Sequence, residues 1–499
     1  MTAIFWVRLG FLCICAGAFA LLVKKHERVT RALKQFFLEP TSAVNLGLLR
    51  IAVFFLLFER SLTNPASWFA SLSPEFVTLP RGWQWLSEVY PLLLRGTHPL
   101  ERLFVLASAL ATLGLFTRYT TVLASVLAVW LLGIPNFYFK IGHDSHVMAL
   151  AALILACSPC GDGVSIDALL QRYYGAPRPA PSVAYTVPIR FSWLLLGTSY
   201  LFPGLWKLWE TGDLWLTGAK LRVDLFSKWA QLPDYAPAFR IDHHPLWLAI
   251  LGTLTLVFEI GFSFALFTRQ SRVIAGLAAA GFHLGIGLSM DIWFVIWFPL
   301  IVLIDLPEVL TVAPFSWIAS HITRGYTAVS ERLAELLPRL RYADSTPRVP
   351  PPPAAATALG SLLLLGMLIA GFAPIDSWPI SIYPRFSDRT LAPPRVSSSI
   401  SFVAQSPHEK PRELKIQFHP FSDSAGVFRV VRSAIGLKQR NRSAFDEYIA
   451  LITRIVRENS PPLPAGTRLL IYTYDFRVDP AERTTEPPRR ALLAETQLR

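Results

Sequence analysis

The chain of 499 residues is 53% hydrophobic and only 16% charged, with 15 Trp and 34 Phe. A soluble domain carries about 25% charged residues, so this composition excludes an ordinary water-soluble protein. The formal net charge of +13 comes without zinc-finger spacing, a helix-turn-helix signal or a glycine-rich basic tract, so nucleic acid is not an expected partner.

Crossing a bilayer takes roughly 20 apolar residues. Runs of that kind lie near 3–23, 43–62, 100–116, 119–134, 146–160, 186–206, 246–268, 271–289, 291–306 and 354–373. The first, Ile4 to Val23, has only Arg8 as an early positive charge and is followed by Lys24, Lys25 and Arg28. It reads as a retained helix rather than a cleaved signal. An amphipathic stretch (Glu27 to Phe37), an extramembrane helix (Trp83 to Leu94) and a Pro-rich linker (Pro347 to Pro353) interrupt the series. The four cysteines, Cys13, Cys15, Cys157 and Cys160, all lie in apolar stretches, which is no disulfide framework.

Loop charges set an orientation. Lys24 to Lys34, Arg118, Arg172 with Arg178, Arg269 with Arg272, and Arg324 to Arg348 fall in every second loop. Such loops are held in the cytoplasm, so the N-terminus and the last 125 or so residues are expected outside. In that C-terminal part, Leu414 to His419 and Leu469 to Tyr474 read as strands. Ser443 to Val456 reads as a helix, with Phe445, Tyr448, Ile449, Ile452 and Ile455 at helical spacing. The tail from Pro480 reads as disordered.

The expected fold is therefore an all-α polytopic membrane bundle of about ten helices with a small C-terminal α/β soluble domain. Its parts are an N-terminal helix with its linker (1–40), a membrane domain (41–310), a basic cytoplasmic segment (311–353), a last membrane helix (354–373) and an extracytoplasmic domain (374–499). The partner such a chain implies is the lipid bilayer of a plasma or inner membrane.

Ionisable groups within membrane helices are costly and usually face a cavity or a partner. His143 and His146 open the fifth apolar run, Lys207 ends the sixth, Glu259 lies within the seventh and His283 within the eighth. The alternating topology puts His143, His146, Lys207 and His283 at similar depth toward the outside. A lysine desolvated there serves as a base or nucleophile, and nearby imidazoles move protons or bind an oxyanion. A lipophilic, quinone-like substrate suits such a place. Each residue also has a plainer reading. Lys207 snorkels to the headgroups, His143 and His146 are interfacial or capping residues, His283 is packed, and Glu259 pairs with Arg272 or Arg190. Cys157-Ser-Pro-Cys160 has a redox spacing but reads as small packed residues. Zinc on His143, His146 and His283 has no motif behind it, and no metal is expected.

These residues, in their order, resemble the horizontally transferred transmembrane (HTTM) family, which includes vitamin K-dependent gamma-glutamyl carboxylase. The resemblance spans about residues 40–310 and rests on Asn45 to Ile51, on His146 followed by Ser165-Ile166-Asp167, and on Tyr200…Gly204-Leu-Trp-Lys207-Leu…Trp215…Gly218. It continues through Glu259…Arg272 and Phe282-His283. It implies Lys207 as the base that deprotonates a vitamin K hydroquinone-like cofactor, with His146 and His283 around quinone and glutamate, and a secreted peptide or protein as substrate. The chain departs from the family in its longer Lys207–Trp215 spacing, in Pro203 for alanine, in Ser145 for asparagine and in its smaller C-terminal domain. The alternative is a non-enzymatic maturation or scaffold factor for a secreted protein or peptide toxin. A transporter reading lacks inverted repeats.

Overall fold

The computed structural model describes residues 26–304, 346–381, 392–414, 442–459 and 463–497, and scattered positions in 317–332. Within those stretches 64–65, 71–76, 78, 139–142, 144, 233–234, 294, 296, 408, 465 and 484–488 are left undescribed, as is the expected first helix at 3–23. The chain is mostly helical. Its main helices are α1 (Glu27–Leu38), α2 (Ala43–Thr63), α3 (Thr97–Leu113), α4 (Thr117–Leu131), α5 (His146–Ala156) and α6 (Ile166–Tyr173). They continue with α7 (Val183–Leu216), α8 (Ala219–Trp229), α9 (Pro245–Ala265), α10 (Arg269–Met290), α11 (Ala354–Phe372) and α12 (Arg442–Asn459). Side-chain caps fix several starts: Ser165, Ser182 and Thr268 accept from the backbone N–H of Ala168, Ala184 and Ser271.

Among the described residues, four helical stretches are long and apolar enough to cross a membrane: Thr117–Phe137, Pro245–Ala265, Arg269–Met290 and Ala354–Phe372. The apolar run at 291–306 differs from expectation. It forms a 3-10 turn at Phe298–Leu303, where Pro299 sits in the first turn and the preceding residues do not continue α10. The expected helix over Trp83 to Leu94 is two short turns, Gln84–Leu86 and Tyr90–Leu94.

Glycines set how closely the helices approach. Along the α7–α9 seam a Cβ on Gly197 would meet Leu266 and Ser263, and one on Gly204 would lie 2.8 Å from the Glu259 Cβ. One on Gly252 would lie 2.2 Å from the Trp215 carbonyl. The rising and falling numbers show that α7 and α9 run antiparallel. Gly360 and Gly371 of α11 accommodate the rings of Phe191 and Phe202, so α11 runs parallel to α7. Small residues at such crossings are the usual means of packing apolar helices where lipid leaves no hydrophobic drive between them.

The pairings define two ends. At one, Thr41 bridges Ser182, Arg348 pairs with Asp162 and follows Arg178 in a backbone contact, Arg269 pairs with Glu39, and Asp167 holds the start of α4. Basic loops that the sequence places in alternate positions thus gather on one side. Arg50, fully buried on α2, donates there to the carbonyls of Cys160 and Val164.

The C-terminal sheet lies at the other end. Its strands β1 (Val396–Gln405), β2 (Arg412–Leu414), β3 (Arg468–Arg477) and β4 (Arg490–Gln497) run antiparallel in the order β2-β1-β3-β4. The domain is a helix with an antiparallel sheet. The expected strand at 414–419 is entered by β2, and 415–419 lie outside the described residues. The tail from Pro480 is corrected: β4 pairs with β3 from Arg468↔Gln497 to Tyr474↔Arg490. α12 buries Phe445, Ile449, Ile452 and Val456, one face at helical spacing. The sheet docks through Val478, which packs with Trp229, Leu248 and Met290. Ser397 adds a hydrogen bond to the Ala230 carbonyl, and Arg483 one to that of Tyr235.

Candidate functional site

The face of α7 turned to α9 carries Gly197, Tyr200, Gly204, Lys207 and Thr211, spaced three and four residues apart. Gly204 lets α9 come close enough for Lys207 to reach across. Its Nζ donates to both carboxylate oxygens of Glu259, each at 2.6 Å. Both residues are buried, at 2% and 6% exposure. The ammonium also stands 5.3 Å from the centre of the Trp215 ring, two turns on. Lys207 therefore does not snorkel, and the partner of Glu259 is Lys207 rather than Arg272 or Arg190. Those two arginines lie toward the basic end, over the Trp193 ring at 4.7 and 4.1 Å from its centre.

His283 of α10 is placed by Tyr200, whose hydroxyl is 2.6 Å from Nε2. Phe258 and Phe262 of α9 pack on the Tyr200 ring, and Phe282 packs on Phe258. Tyr200 and Lys207 are seven residues apart, a rise of about 10 Å between their backbones along α7. The pair and the imidazole share one aromatic seam.

His146 and His143 form a second group. Their rings are 5.2 Å apart, and His146 meets the edge of Trp378 at 4.6 Å. Trp378, beyond the end of α11, donates to the Val129 carbonyl and accepts at its own carbonyl from Trp83. His143 is held at Nδ1 by Ser381, 3.3 Å away, and at Nε2 by Asp376, 3.7 Å away. Trp206 donates to the Gly371 carbonyl, so Lys207 stands near the α11 end that leads to Trp378. Both groups are thus toward the end that carries the sheet.

The sequence singled out Lys207, His143, His146, His283 and Glu259, but assigned no role to Tyr200, Asp376, Trp378 or Ser381. Tyr200 sits one heptad before Lys207, a spacing that could have marked it. The other three are brought in by the fold around α11 and carry no local signal. His283 faces Tyr200, and the histidines do not gather as three zinc ligands. Among the described residues a group of possible metal donors is formed instead by Asp242, His243 and Asp479, and Arg240 bonds both carboxylates. Cys160 donates to the Leu155 carbonyl at the basic end, and both Cys157 and Cys160 are free thiols.

Comparison with family models, curated proteins and solved structures finds no match to this chain.

Proposed function

We propose that this chain is an HTTM-type membrane enzyme that works at the end opposite its basic loops on a lipophilic reduced quinone and a secreted peptide. The single observation behind this reading is the buried Lys207–Glu259 pair on an aromatic seam shared with Tyr200 and His283. We also propose that α2, α3, α5 and α7 lie in the bilayer with the four spans, approaching the expected ten crossings, and that the basic end is cytoplasmic.

The residues fit a reduced quinone. Tyr200, Phe258, Phe262 and Phe282 supply aromatic contact, and Lys207 supplies a charged donor for a phenolic oxygen. Such a cofactor would supply a phenolic proton and, with molecular oxygen as the oxidant that consumes its anion, the base that takes a carbon-bound proton. Lys207 and Glu259 hold their protons jointly. The pair as a unit is therefore the acid–base group: it takes the phenolic proton and thereby carries one net positive charge beside the anion formed. His283 of α10, fixed by Tyr200 two turns before Lys207 on α7, is placed to orient a second reactant. His146 and His143, leading to the half-exposed Asp376, offer a path by which a proton reaches the outer solvent.

The direct experiment gives reconstituted protein reduced vitamin K, labelled carbon dioxide and a glutamate-containing peptide. Label in the peptide with oxidised quinone is expected; the absence of both overturns the carboxylase form.

The docked sheet favours a second reading, a maturation or scaffold factor that holds a secreted protein. Under it, removal of residues 374–499 abolishes function while Lys207→Ala and His283→Ala leave it intact.

A further inference from the structure

The short helix α6 has eight residues, and nothing in the proposed chemistry uses it. Its place is fixed by Asp167, which accepts from the backbone N–H groups of Phe116 and Thr117 at 2.9 and 2.7 Å. The Asp167 N–H in turn donates to the Gly114 carbonyl at 2.9 Å. Thr117 begins the span Thr117–Phe137. A helix fastened to that point lies where the chain enters the bilayer, and its depth is set.

Its outer face is apolar and aromatic. Leu169, Leu170, Tyr173 and Tyr174 are exposed, the last at 81%, beside Phe116 and Tyr119 at the start of α4, Tyr119 at 73%. Arg118 and Arg178 are exposed on the same end. Among the described residues, two acids of this end are engaged: Asp167 caps α4, and Asp162 accepts from Arg348 and from the Tyr185 hydroxyl. The face turned outward therefore combines apolar side chains, tyrosines and exposed arginines. Tyrosines favour headgroup level, and an amphipathic helix with arginines at its rim lies in the plane of an anionic interface.

We propose that α6 and the first turn of α4 form an interfacial foot that binds the anionic phospholipid headgroups of the leaflet at the basic end. Leu169, Leu170 and the tyrosines enter the headgroup–acyl boundary, and Arg118 and Arg178 take the phosphates. The foot holds α4 at one height against the leaflet. It rests on the chain crossing a bilayer and not on any reaction at Lys207.

The test is hydrogen exchange of the full-length protein in nanodiscs of phosphatidylcholine, with and without phosphatidylglycerol. Amides of 166–176 are expected to exchange about fivefold or more slowly when the anionic lipid is present. Arg118→Glu with Arg178→Glu removes that difference, and Arg118→Lys with Arg178→Lys keeps it. Amides of 183–195 in α7 serve as the fold control and stay unchanged in all variants. Equal exchange of 166–176 in the two lipids, or a lipid effect that survives charge reversal in a protein with intact α7 protection, overturns the proposal. Loss of α7 protection on charge reversal moves the decision to the lysine variants, where a lost lipid effect with α7 intact also overturns it.

Discussion

Lys207 on α7 donates to both oxygens of the Glu259 carboxylate on α9, and neither residue reaches solvent. Removing one partner of a buried pair leaves an uncompensated charge, at a cost of about 3–5 kcal/mol, whereas replacing both by apolar groups is often near neutral. Lys207→Met and Glu259→Leu should each lower unfolding stability in detergent by that amount, and the double variant should recover most of it. All three should lack activity. Single variants as stable as the parent would show that water reaches the pair.

Gly204 is the reason the two chains can meet. A Cβ there would fall 2.8 Å from the Glu259 Cβ and 2.9 Å from the Ile260 Cγ1. Gly204→Ala should cost about 1–3 kcal/mol by forcing the helices apart, and the displaced pair should lose activity more steeply than stability. Gly261, on α9 with open space around it, is the control: Gly261→Ala should leave both unchanged.

The spans and the pairing were legible to different degrees. The runs at 246–268, 271–289 and 354–373 became α9, α10 and α11 within a few residues, because a long apolar stretch admits few other outcomes. The run ending at residue 206 was stopped short. Lys207, Glu210, Thr211 and Asp213 break the hydropathy, yet α7 continues to Leu216, with a kink at Thr211, because Lys207 is buried on Glu259 of α9 and Thr211 is buried beside it, donating to the Lys207 carbonyl. By charge alone the sequence offers Arg272 or Arg190 as the partner of Glu259. The antiparallel α7–α9 register, which no local pattern reports, puts Gly204 and Lys207 opposite it instead. β4 was missed because an edge strand with Arg490, Glu495 and Gln497 looks like a polar tail until its pairing with β3 is known.

The sheet is latched by charge. Arg240 bonds Asp242 at 2.9 and 2.7 Å and reaches Asp479 at 2.8 Å, while His243 stands 3.5 Å from Asp242. Burial alone would raise the Asp242 carboxyl, but the Arg240 hydrogen bonds and charge, with His243, outweigh it and hold the group below its ordinary value. A depressed folded-state pKa gives stability that is complete above the unfolded value, about 3.9, and is lost as pH falls through the lower folded one. Protection of the 235–243 amides, relative to their intrinsic exchange rate, should therefore hold down to about pH 4 and fall below it. Asp242→Asn should lower this protection at neutral pH and flatten the dependence; an acid transition that persists in Asp242→Asn would assign it to Asp479 or elsewhere.

Arg178 and Glu482 are both exposed and lie at opposite ends of the bundle. The first belongs to the end where Arg348, Arg269 and Arg172 collect, the second to the sheet latched near Tyr235 and Arg240. Positive loops resist translocation, so the first end should face the cytoplasm and the second should not. With the four native cysteines replaced by serine, Glu482→Cys should react with an impermeant maleimide in intact cells. Arg178→Cys should react only after the membrane is opened. The two helices that connect these ends most directly, α7 and α11, run parallel, which leaves a single crossing of each to carry the chain from one side to the other. Reaction of both cysteines in intact cells, or of Arg178→Cys alone, would remove the outer placement of the sheet and with it the access of a secreted peptide to the Lys207 end.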